Sequence, residues 1–254
     1  MDIEAENEIK CLYIDVVLKN DILYVITGTD QETVNILQIS ANDFELINAE
    51  TIRKHEFSVW ACAVCPQNPE FNYLSGGDDC HLKLLDLRMP NKIGMVNKQS
   101  HIQGITTINF SPHDANVFAT GSYDEHLRMF DIRKINQELL DYKRAGGVWR
   151  ARFDLNDKNK ILCGIYSENY FELIDYSDPN QCKLHKKQLN FQLYIFTQCY
   201  QIQNIPIIYQ GNIVQTFKDH EKLAYSCDIS LDSQYISTCS FYDKKLNLWK
   251  IQKE

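Results

Sequence analysis

Short apolar runs separated by turn residues recur along this chain of 254 residues. Near the start they read IKCLYIDVVL, ILYVITG and TVNILQIS, with β-branched and aromatic residues inside each run and Asn, Asp or Gly between runs. Runs of this length and composition, bounded by turn residues, are typical of β-strands. The pattern therefore predicts a chain built from many short strands.

One unit of this pattern repeats with fixed positions. It is clearest at 120–133, TGSYDEHLRMFDIR, and recurs at 75–88 as SGGDDCHLKLLDLR and more loosely at 239–250 as CSFYDKKLNLWK. The copies share an Asp in the turn, an apolar residue six positions later, and a histidine 29 or 30 residues before that apolar residue. The members are Asp79, Asp124 and Asp243; Leu85, Phe130 and Trp249; and His55, His101 and His220.

The spacing of the unit indicates the fold. Asp79 and Asp124 stand 45 residues apart, and WD repeats have a period of about 40 to 45 residues. An Asp in the turn can accept backbone N–H groups and an imidazole N–H, which forms a buried hydrogen-bonded network. We therefore expect an all-β, WD40-type β-propeller in which the repeated His and Asp residues have structural roles.

The strands divide into five blades of a single domain, 1–254. The expected blades are 9–50, 55–99, 101–143, 146–218 and 220–251, with an irregular insertion at 177–210. The last unit shows three strands, and the N-terminal MDIEAENE makes a poor fourth. We therefore expect that N-terminal blades of a seven-bladed ring are missing, and a compact five-bladed ring is the alternative, since propellers have about four to eight blades.

Composition limits the possible functions. Hydrophobic residues make up 44% and the net charge is −8, which favours a folded chain with a cationic partner over one that binds nucleic acid. No apolar run approaches the ~18 residues of a membrane span, and the acidic N-terminus is unlike a signal peptide. We expect a cytoplasmic protein without a membrane partner or a cofactor. Cys62 and Cys65 lack the further ligands of a zinc site, so no metal is expected.

Aromatic residues collect where a propeller has one rim of its central channel. The turn before the repeated Asp and the start of each innermost strand lie on this rim. The aromatic residues at these positions are Trp60, Tyr123, Trp149, Tyr225 and Tyr242, with Asp78, Arg150 and Asp228 beside them. Aromatic faces near carboxylates suit a methylated cation. Each Trp could equally pack between blades, because Trp is usually largely buried, but the set as a whole favours a binding surface.

Two adjacent glycines, Gly146 and Gly147, precede the Trp149 strand. They would let the backbone approach a ligand and present N–H groups to an anion or an oxyanion, with Arg150 assisting. A plain turn into a strand explains them equally well. No GxSxG motif and no Ser, His and Asp constellation can be placed from the spacing, so the residues alone indicate a ligand-binding propeller.

Six segments in a fixed order carry a family resemblance: HEFSVWACAV, YLSGGDDCHLKLLDLR, FATGSYDEHLRMFDIR, GGVWRARF, HEKLAYSCDIS and TCSFYDKKLNLW. They cover roughly 55–175 and 215–250 and resemble the WD-repeat diphthine methyl ester hydrolases of diphthamide biosynthesis. GGVWR together with AYxxD and CSFYD is the most specific part. The resemblance implies a carboxylic ester hydrolase that removes the methyl ester from the modified histidine of elongation factor 2, giving diphthine and methanol.

The resemblance also gives the rim residues their expected roles. Diphthine carries a trimethylammonium group, around which the rim aromatics would form a cage. Ester hydrolysis also needs a base and stabilisation of an oxyanion. We expect Asp78 or Asp228 to supply the base, and Arg150 with the Gly147 backbone to stabilise the oxyanion.

The competing hypothesis is a non-catalytic adaptor. Asp86 and Arg88, like Asp131 and Arg133, resemble the WDxR box through which some WD proteins dock onto a cullin ubiquitin-ligase adaptor. The simpler interpretation, which we favour, is that each Arg pairs with a carboxylate of a neighbouring blade. A third possibility is a degenerate relative that binds elongation factor 2 without turnover.

Overall fold

A computed structural model describes residues 9–166, 170–177, 212–218, 220, 225–240 and 243–251. Regular structure in these residues is antiparallel sheet, apart from one turn of 3₁₀ helix at Ile132–Lys134. No helix within the described ranges is long and apolar enough to span a bilayer. The expected insertion, from residue 178 onward, and Tyr242 lie outside the described residues.

Five sheets follow one another along the chain. The first three are β1 (Cys11–Lys19), β2 (Ile22–Thr29), β3 (Thr33–Ser40) and β4 (Leu46–Arg53); β5 (Ala61–Val64), β6 (Asn72–Gly76), β7 (Leu82–Asp86) and β8 (Ile93–Asn97); and β9 (Ile105–Phe110), β10 (Val117–Ser122), β11 (His126–Asp131) and β12 (Glu138–Lys143). The last two are β13 (Val148–Phe153), β14 (Lys160–Ile165), β15 (Tyr170–Asp175) and β16 (Asn212–Phe217); and β17 (Ser226–Ile229), β18 (Tyr235–Ser240) and β19 (Lys245–Lys250). Each sheet is a simple up-and-down meander.

Local sequence explains the tight turns between neighbouring strands. β1 and β2 are joined through Asn20 and Asp21, whose φ angles are 52° and 58°. Two consecutive residues with positive φ form the hairpin turn whose twist matches that of the strands, and Asn and Asp tolerate this conformation best after Gly. The register from Lys19–Ile22 to Val16–Val25 follows directly from this turn.

The core lies between consecutive sheets. Four apolar clusters occupy the four spaces between sheets, and their fully buried side chains include Ile26 with Tyr73, Leu74 with Phe118, Leu127 with Ile161, and Leu162 with Phe171 and Ile236. The first strands of consecutive sheets, β1, β5, β9, β13 and β17, contact one another in that order. Face-to-face sheets whose first strands line a common centre are the arrangement of a β-propeller, so the predicted fold is confirmed.

Glycines in the second strands allow the sheets to pack this closely. A Cβ atom on Gly28 would lie 2.5 Å from the carbonyl oxygen of Val59, and one on Gly121 would lie 2.7 Å from the carbonyl oxygen of Val148. Each of these neighbours belongs to the start of the next sheet. Any side chain at Gly28 or Gly121 would therefore push two sheets apart.

The repeated histidines and aspartates lie in buried hydrogen-bonded networks. In the second sheet, His55 Nδ1 lies 2.9 Å from Asp79 Oδ2, and Lys83 donates to the same oxygen at 2.7 Å. In the fifth sheet, the corresponding distance between His220 Nδ1 and Asp243 is 3.1 Å. Burial alone would raise the pKa of Asp79, but the hydrogen bonds and charges of His55 and Lys83 outweigh it and hold that pKa well below its ordinary value.

The third sheet inserts an arginine into this network. His101 Nδ1 and Asp124 Oδ2 are 3.8 Å apart, too far for a hydrogen bond. Arg128 Nη1 lies between them and donates to His101 Nδ1 at 3.0 Å and to Asp124 Oδ2 at 2.9 Å. Burial and the Arg128 cation lower the pKa of His101 to about 3. The imidazole is therefore neutral at physiological pH and accepts a hydrogen bond from Arg128.

The fourth sheet has a different network. Arg144 precedes Ile174 by 30 residues, the interval that separates His55 from Leu85, and Arg144 Nε donates to Glu172 Oε2 at 2.8 Å. Tyr170 donates its hydroxyl to the other carboxylate oxygen, also at 2.8 Å. Arg144 and Glu172 are both almost fully buried. An arginine thus takes the position that histidine has in the second, third and fifth sheets.

Candidate functional site: an aromatic rim

One backbone contact recurs at the same end of three sheets. A residue one or two positions after the second strand donates its N–H to a carbonyl oxygen of the loop before a first strand: Asp78 to Ser58 at 3.1 Å, Tyr123 to Gly104 at 3.0 Å, and Tyr166 to Gly147 at 2.7 Å. This repeated contact places the side chains of Asp78, Tyr123 and Tyr166 together, beside the starts of the innermost strands. We call this end of the sheets the rim.

Trp149 lies at the centre of the rim. Its ring centroid is 6.0 Å from that of Trp60, 5.6 Å from Tyr123, 6.1 Å from Tyr166 and 5.7 Å from Tyr225. Trp149 is 5% exposed, and within the described part of the chain its indole N–H has no hydrogen-bond partner. Four of the five predicted rim aromatics therefore form one cluster around a buried ring, and the fifth, Tyr242, lies outside the described residues.

Asp78 is part of this cluster. Its Oδ2 atom accepts the indole N–H of Trp60 at 2.7 Å, while the side chain itself is exposed. A Cβ atom on Gly104 would lie 2.7 Å from Asp78 Oδ1, so the carboxylate is enclosed on that side by backbone. The contact orients the Trp60 ring and places a negative charge next to the aromatic faces.

Tyr123 is held in its neutral form. Burial, followed by the neighbouring Tyr166 and Asp78, raises the pKa of Tyr123 to about 12. Its ring meets that of Tyr166 edge to face with centroids 5.5 Å apart. Tyr123 therefore contributes an uncharged aromatic face to the rim.

Arg150 follows Trp149 and lies between two rings. Its guanidinium carbon is 5.2 Å from the centroid of Trp149 and 5.3 Å from that of Tyr13 on β1. Nη1 also donates to the carbonyl oxygens of Thr106 at 3.1 Å and Trp149 at 3.0 Å. The cation is thus fixed beside the rim, at the top of the channel that the innermost strands surround.

Gly147 is required for the close approach of two loops. A Cβ atom there would lie 3.3 Å from the Cα atom of Tyr123 and 3.5 Å from the Cβ atom of Tyr166. Neither Gly147 nor Gly146 has a positive φ angle. The space at Gly147, and not an unusual backbone conformation, accounts for this glycine.

Asp228 lies on β17, three residues beyond Tyr225, and is exposed. Its carboxylate accepts the N–H of Ile229 at 3.0 Å. Burial raises the pKa of the neighbouring Cys227 thiol to about 12. The Arg152 and Arg150 cations oppose this shift, and the Asp228 carboxylate adds to it. Asp228 therefore leaves β17 on the face opposite to that of the buried Cys227.

Sequence reasoning missed Tyr166 and Tyr13. Tyr166 follows CGI (163–165), as Tyr123 follows TGS (120–122), and the alignment of these glycines would have placed both tyrosines in one column. No comparable signal exists for Tyr13, because its contact with Arg150 joins the first sheet to the fourth. Contacts of this kind depend on how the strands meet at the centre.

The two arginines of the DxR segments are held by their own aspartates. Arg88 makes paired contacts with Asp86 at 2.9 and 2.7 Å, and Arg133 makes the same contacts with Asp131 at 2.8 and 2.5 Å. The interpretation that each Arg pairs with a neighbouring blade was therefore wrong. Two residues of spacing let the guanidinium fold back onto the carboxylate, so the pair closes within one segment.

Comparison with known proteins agrees with this architecture. Residues 48–86, 95–131 and 211–250 match the family WD domain, G-beta repeat. A chain from the crystal structure of the mitotic checkpoint complex superposes with a TM-score of 0.67 at 13% identity, covering 95% of this chain and 61% of that one. The fold and the repeats thus define a WD40-type β-propeller with an aromatic rim.

Curated relatives add a biochemical context. The chain is 27% identical over 269 residues to the diphthine methyltransferase homolog of Dictyostelium discoideum, 35% over 131 residues to human diphthine methyltransferase, and 28% over 200 residues to the Schizosaccharomyces pombe protein of that name. These alignments cover 98%, 52% and 78% of this chain, but 64%, 28% and 52% of the relatives. The chain is thus similar to proteins named diphthine methyltransferase, and it spans less than two thirds of their length.

The relatives' names correct one prediction. The resemblance implied a carboxylic ester hydrolase, whereas each of these relatives is named a methyltransferase or its homolog. The hydrolase class was therefore wrong. The described residues of the segments that carry the resemblance form the blades and the aromatic rim.

Proposed function

We propose that the rim binds the trimethylammonium group of diphthine on elongation factor 2, and that the chain acts in the methyl-group chemistry of diphthamide biosynthesis for which its relatives are named. The observation that carries this proposal is the cluster of Trp60, Tyr123, Tyr166 and Tyr225 around Trp149. Aromatic faces attract a quaternary ammonium group because the ring quadrupole is negative at the face.

The charge around the cluster supports the same ligand. Asp78 lies against Trp60 at 2.7 Å and adds a carboxylate at the edge of the aromatic faces. The phenol of Tyr123 is neutral and contributes a further aromatic face. The net charge of −8 attracts a cationic group from a distance.

Binding to a diphthine-bearing peptide tests the proposal. The chain should bind a peptide from elongation factor 2 that carries diphthine at least tenfold more tightly than the same peptide with unmodified histidine, since a desolvated cation–π contact contributes about 2 kcal/mol. Trp149→Ala should remove this preference. Trp249→Phe is the matched control, because Trp249 of the fifth sheet lies away from the rim and packs against Phe217 of the fourth sheet.

Mass spectrometry of elongation factor 2 tests the reaction. Incubation with the chain and a methyl donor should add one methyl group to the modified histidine, incubation without the donor should leave its mass unchanged, and Trp149→Ala should abolish the addition. Equal binding of the two peptides by the wild-type chain, without any mass change, would refute the proposed function.

A second candidate, the adaptor, is supported by one observation. Arg88 and Arg133 keep 59% and 69% of their side chains exposed and have the same geometry on adjacent sheets. A partner that contacts both would depend on the two guanidinium groups and not on the rim. Binding that survives Trp149→Ala but not substitution of both arginines would favour this candidate.

A further inference from the structure

Two arginines face the channel from the same strand. Arg150 and Arg152 alternate along β13, so their side chains leave the same face of the sheet. Arg150 is fixed by the Trp149 and Tyr13 rings and by two backbone carbonyls. Burial raises the pKa values of Asp15 and Tyr13 on β1 and of Cys227 on β17, and the nearby Arg152 cation opposes each of these shifts. Strands from three sheets therefore surround this pair of cations.

Neither arginine has a counter-ion in the described part of the chain. No ion pair within 4.0 Å there includes Arg150 or Arg152, although the net charge of the chain is −8. The nearly buried Arg128 and Arg144, by contrast, each contact a carboxylate at 2.9 Å or less. Two half-buried guanidinium groups without a carboxylate leave N–H donors for an anion from outside the chain.

The carboxylates on the neighbouring innermost strands β1 and β17 have other contacts. Asp15 accepts the backbone N–H of Val64 at 2.9 Å, and Asp228 accepts that of Ile229 at 3.0 Å. Both lie beyond ion-pair distance of the arginines. They reduce the positive potential of the channel without occupying the guanidinium donors.

We infer that Arg150 and Arg152 bind the carboxylate of the ligand whose quaternary ammonium group the rim binds. The ligand class is thus a betaine, in which the two charged groups are attached to the same short carbon chain. Trp149 links the two parts of the site, since its ring meets Trp60 and Tyr123 in the cluster and lies 5.2 Å from the Arg150 guanidinium carbon. The inference rests on the proposed function and assigns the channel a part in specificity: a free carboxylate is bound more tightly than its uncharged derivatives.

Calorimetric titration with three small probes tests the inference. Glycine betaine carries both charges, betaine amide has nearly the same shape without the negative charge, and choline has the ammonium group alone. The wild-type chain should bind glycine betaine about tenfold more tightly than betaine amide or choline, because a charge-assisted hydrogen-bonded contact contributes about 1.5 kcal/mol or more.

Substitution of Arg152 tests which residue binds the carboxylate of glycine betaine. Arg152→Gln should lower the affinity for glycine betaine to that for betaine amide and leave choline binding unchanged. Arg53→Gln is the control, since Arg53 pairs with Glu32 at 3.2 Å on the surface.

The outcomes separate the two proposals. Equal binding of glycine betaine, betaine amide and choline would leave the rim as a cation site and overturn the carboxylate site. A betaine preference that Arg152→Gln does not change would also overturn it. Absence of binding by all three probes, together with loss of the diphthine-peptide preference, would refute the rim function and this inference with it.

Discussion

The third and fourth sheets each hold the loop before their first strand through a buried network, but the two networks consist of different residues. In the third sheet a neutral His101 accepts from Arg128, which in turn contacts Asp124. In the fourth sheet an arginine takes the histidine position, and its buried partner is Glu172. The loop before the first strand is thus tied to its sheet in both cases, but one connection contains a neutral imidazole whose pKa is lowered to about 3 and the other is a plain ion pair. A buried hydrogen-bonded network is therefore common to both sheets, whereas the His and Asp of the repeat are not.

The largest effect is expected from breaking the fourth-sheet pair. Glu172→Gln would leave the Arg144 cation buried without a counter-charge, which costs about 3–5 kcal/mol of unfolding free energy. Urea denaturation measures this loss. The double variant Arg144→Met with Glu172→Met is the control and should recover most of the stability, because no unpaired charge remains. A single variant with wild-type stability would show that the pair does not hold the fourth sheet.

The third-sheet network should make stability depend on pH. The pKa of His101 is about 3 in the folded chain, against an ordinary value of about 6.5. Between these values the unfolded state binds more protons, so stability is complete above the ordinary pKa and is lost as pH falls. Each such group contributes about 1.4 kcal/mol per pH unit in this window.

Denaturation midpoints from pH 6.5 to 4.5 measure this dependence. His101→Gln should flatten the slope, since Gln can accept from Arg128 without titrating. Tyr170→Phe, in the network that contains no histidine, should leave the slope at its wild-type value. An unchanged slope in His101→Gln would contradict the assignment.

A smaller effect is expected from the hydroxyl of Tyr170. Tyr170→Phe removes the hydrogen bond to Glu172 Oε1 and should lower the unfolding free energy by about 1–3 kcal/mol, because it leaves a buried carboxylate oxygen without its donor. The same denaturation series measures it. A loss as large as that of Glu172→Gln would mean that Tyr170 has a packing role beyond this bond.

The exposed pairs should show the smallest effect. Arg88→Ala and Arg133→Ala remove contacts that close within one surface segment, so neither should shift the denaturation midpoint measurably. The contrast with Glu172→Gln would show that burial, and not the presence of an ion pair, determines the effect. The same variants also test the adaptor candidate without disturbing the fold.

The repeat unit made much of the fold predictable. Asp79, Asp124 and Asp243 marked the turns, and the histidines marked the loops that precede the sheets. Arg144 and Glu172 escaped notice because substitution of both partners leaves no trace of the repeat pattern. At the rim, Trp60, Trp149 and Tyr123 could be placed because each has a fixed position in the unit. The arrangement of Arg150 between Tyr13 and Trp149 could not, since it depends on contact between distant sheets.

The position of the tryptophans has an optical consequence. Of the three tryptophans in the chain, Trp60 and Trp149 have ring centroids 6.0 Å apart with a 56° tilt between their planes. Two indoles at this distance and tilt couple their electronic transitions and give a split signal in circular dichroism, whereas Trp249 lies apart from them beside Phe217. The rim thus carries its own spectroscopic label, and a ligand that separates the two rings would be seen as the collapse of that split signal.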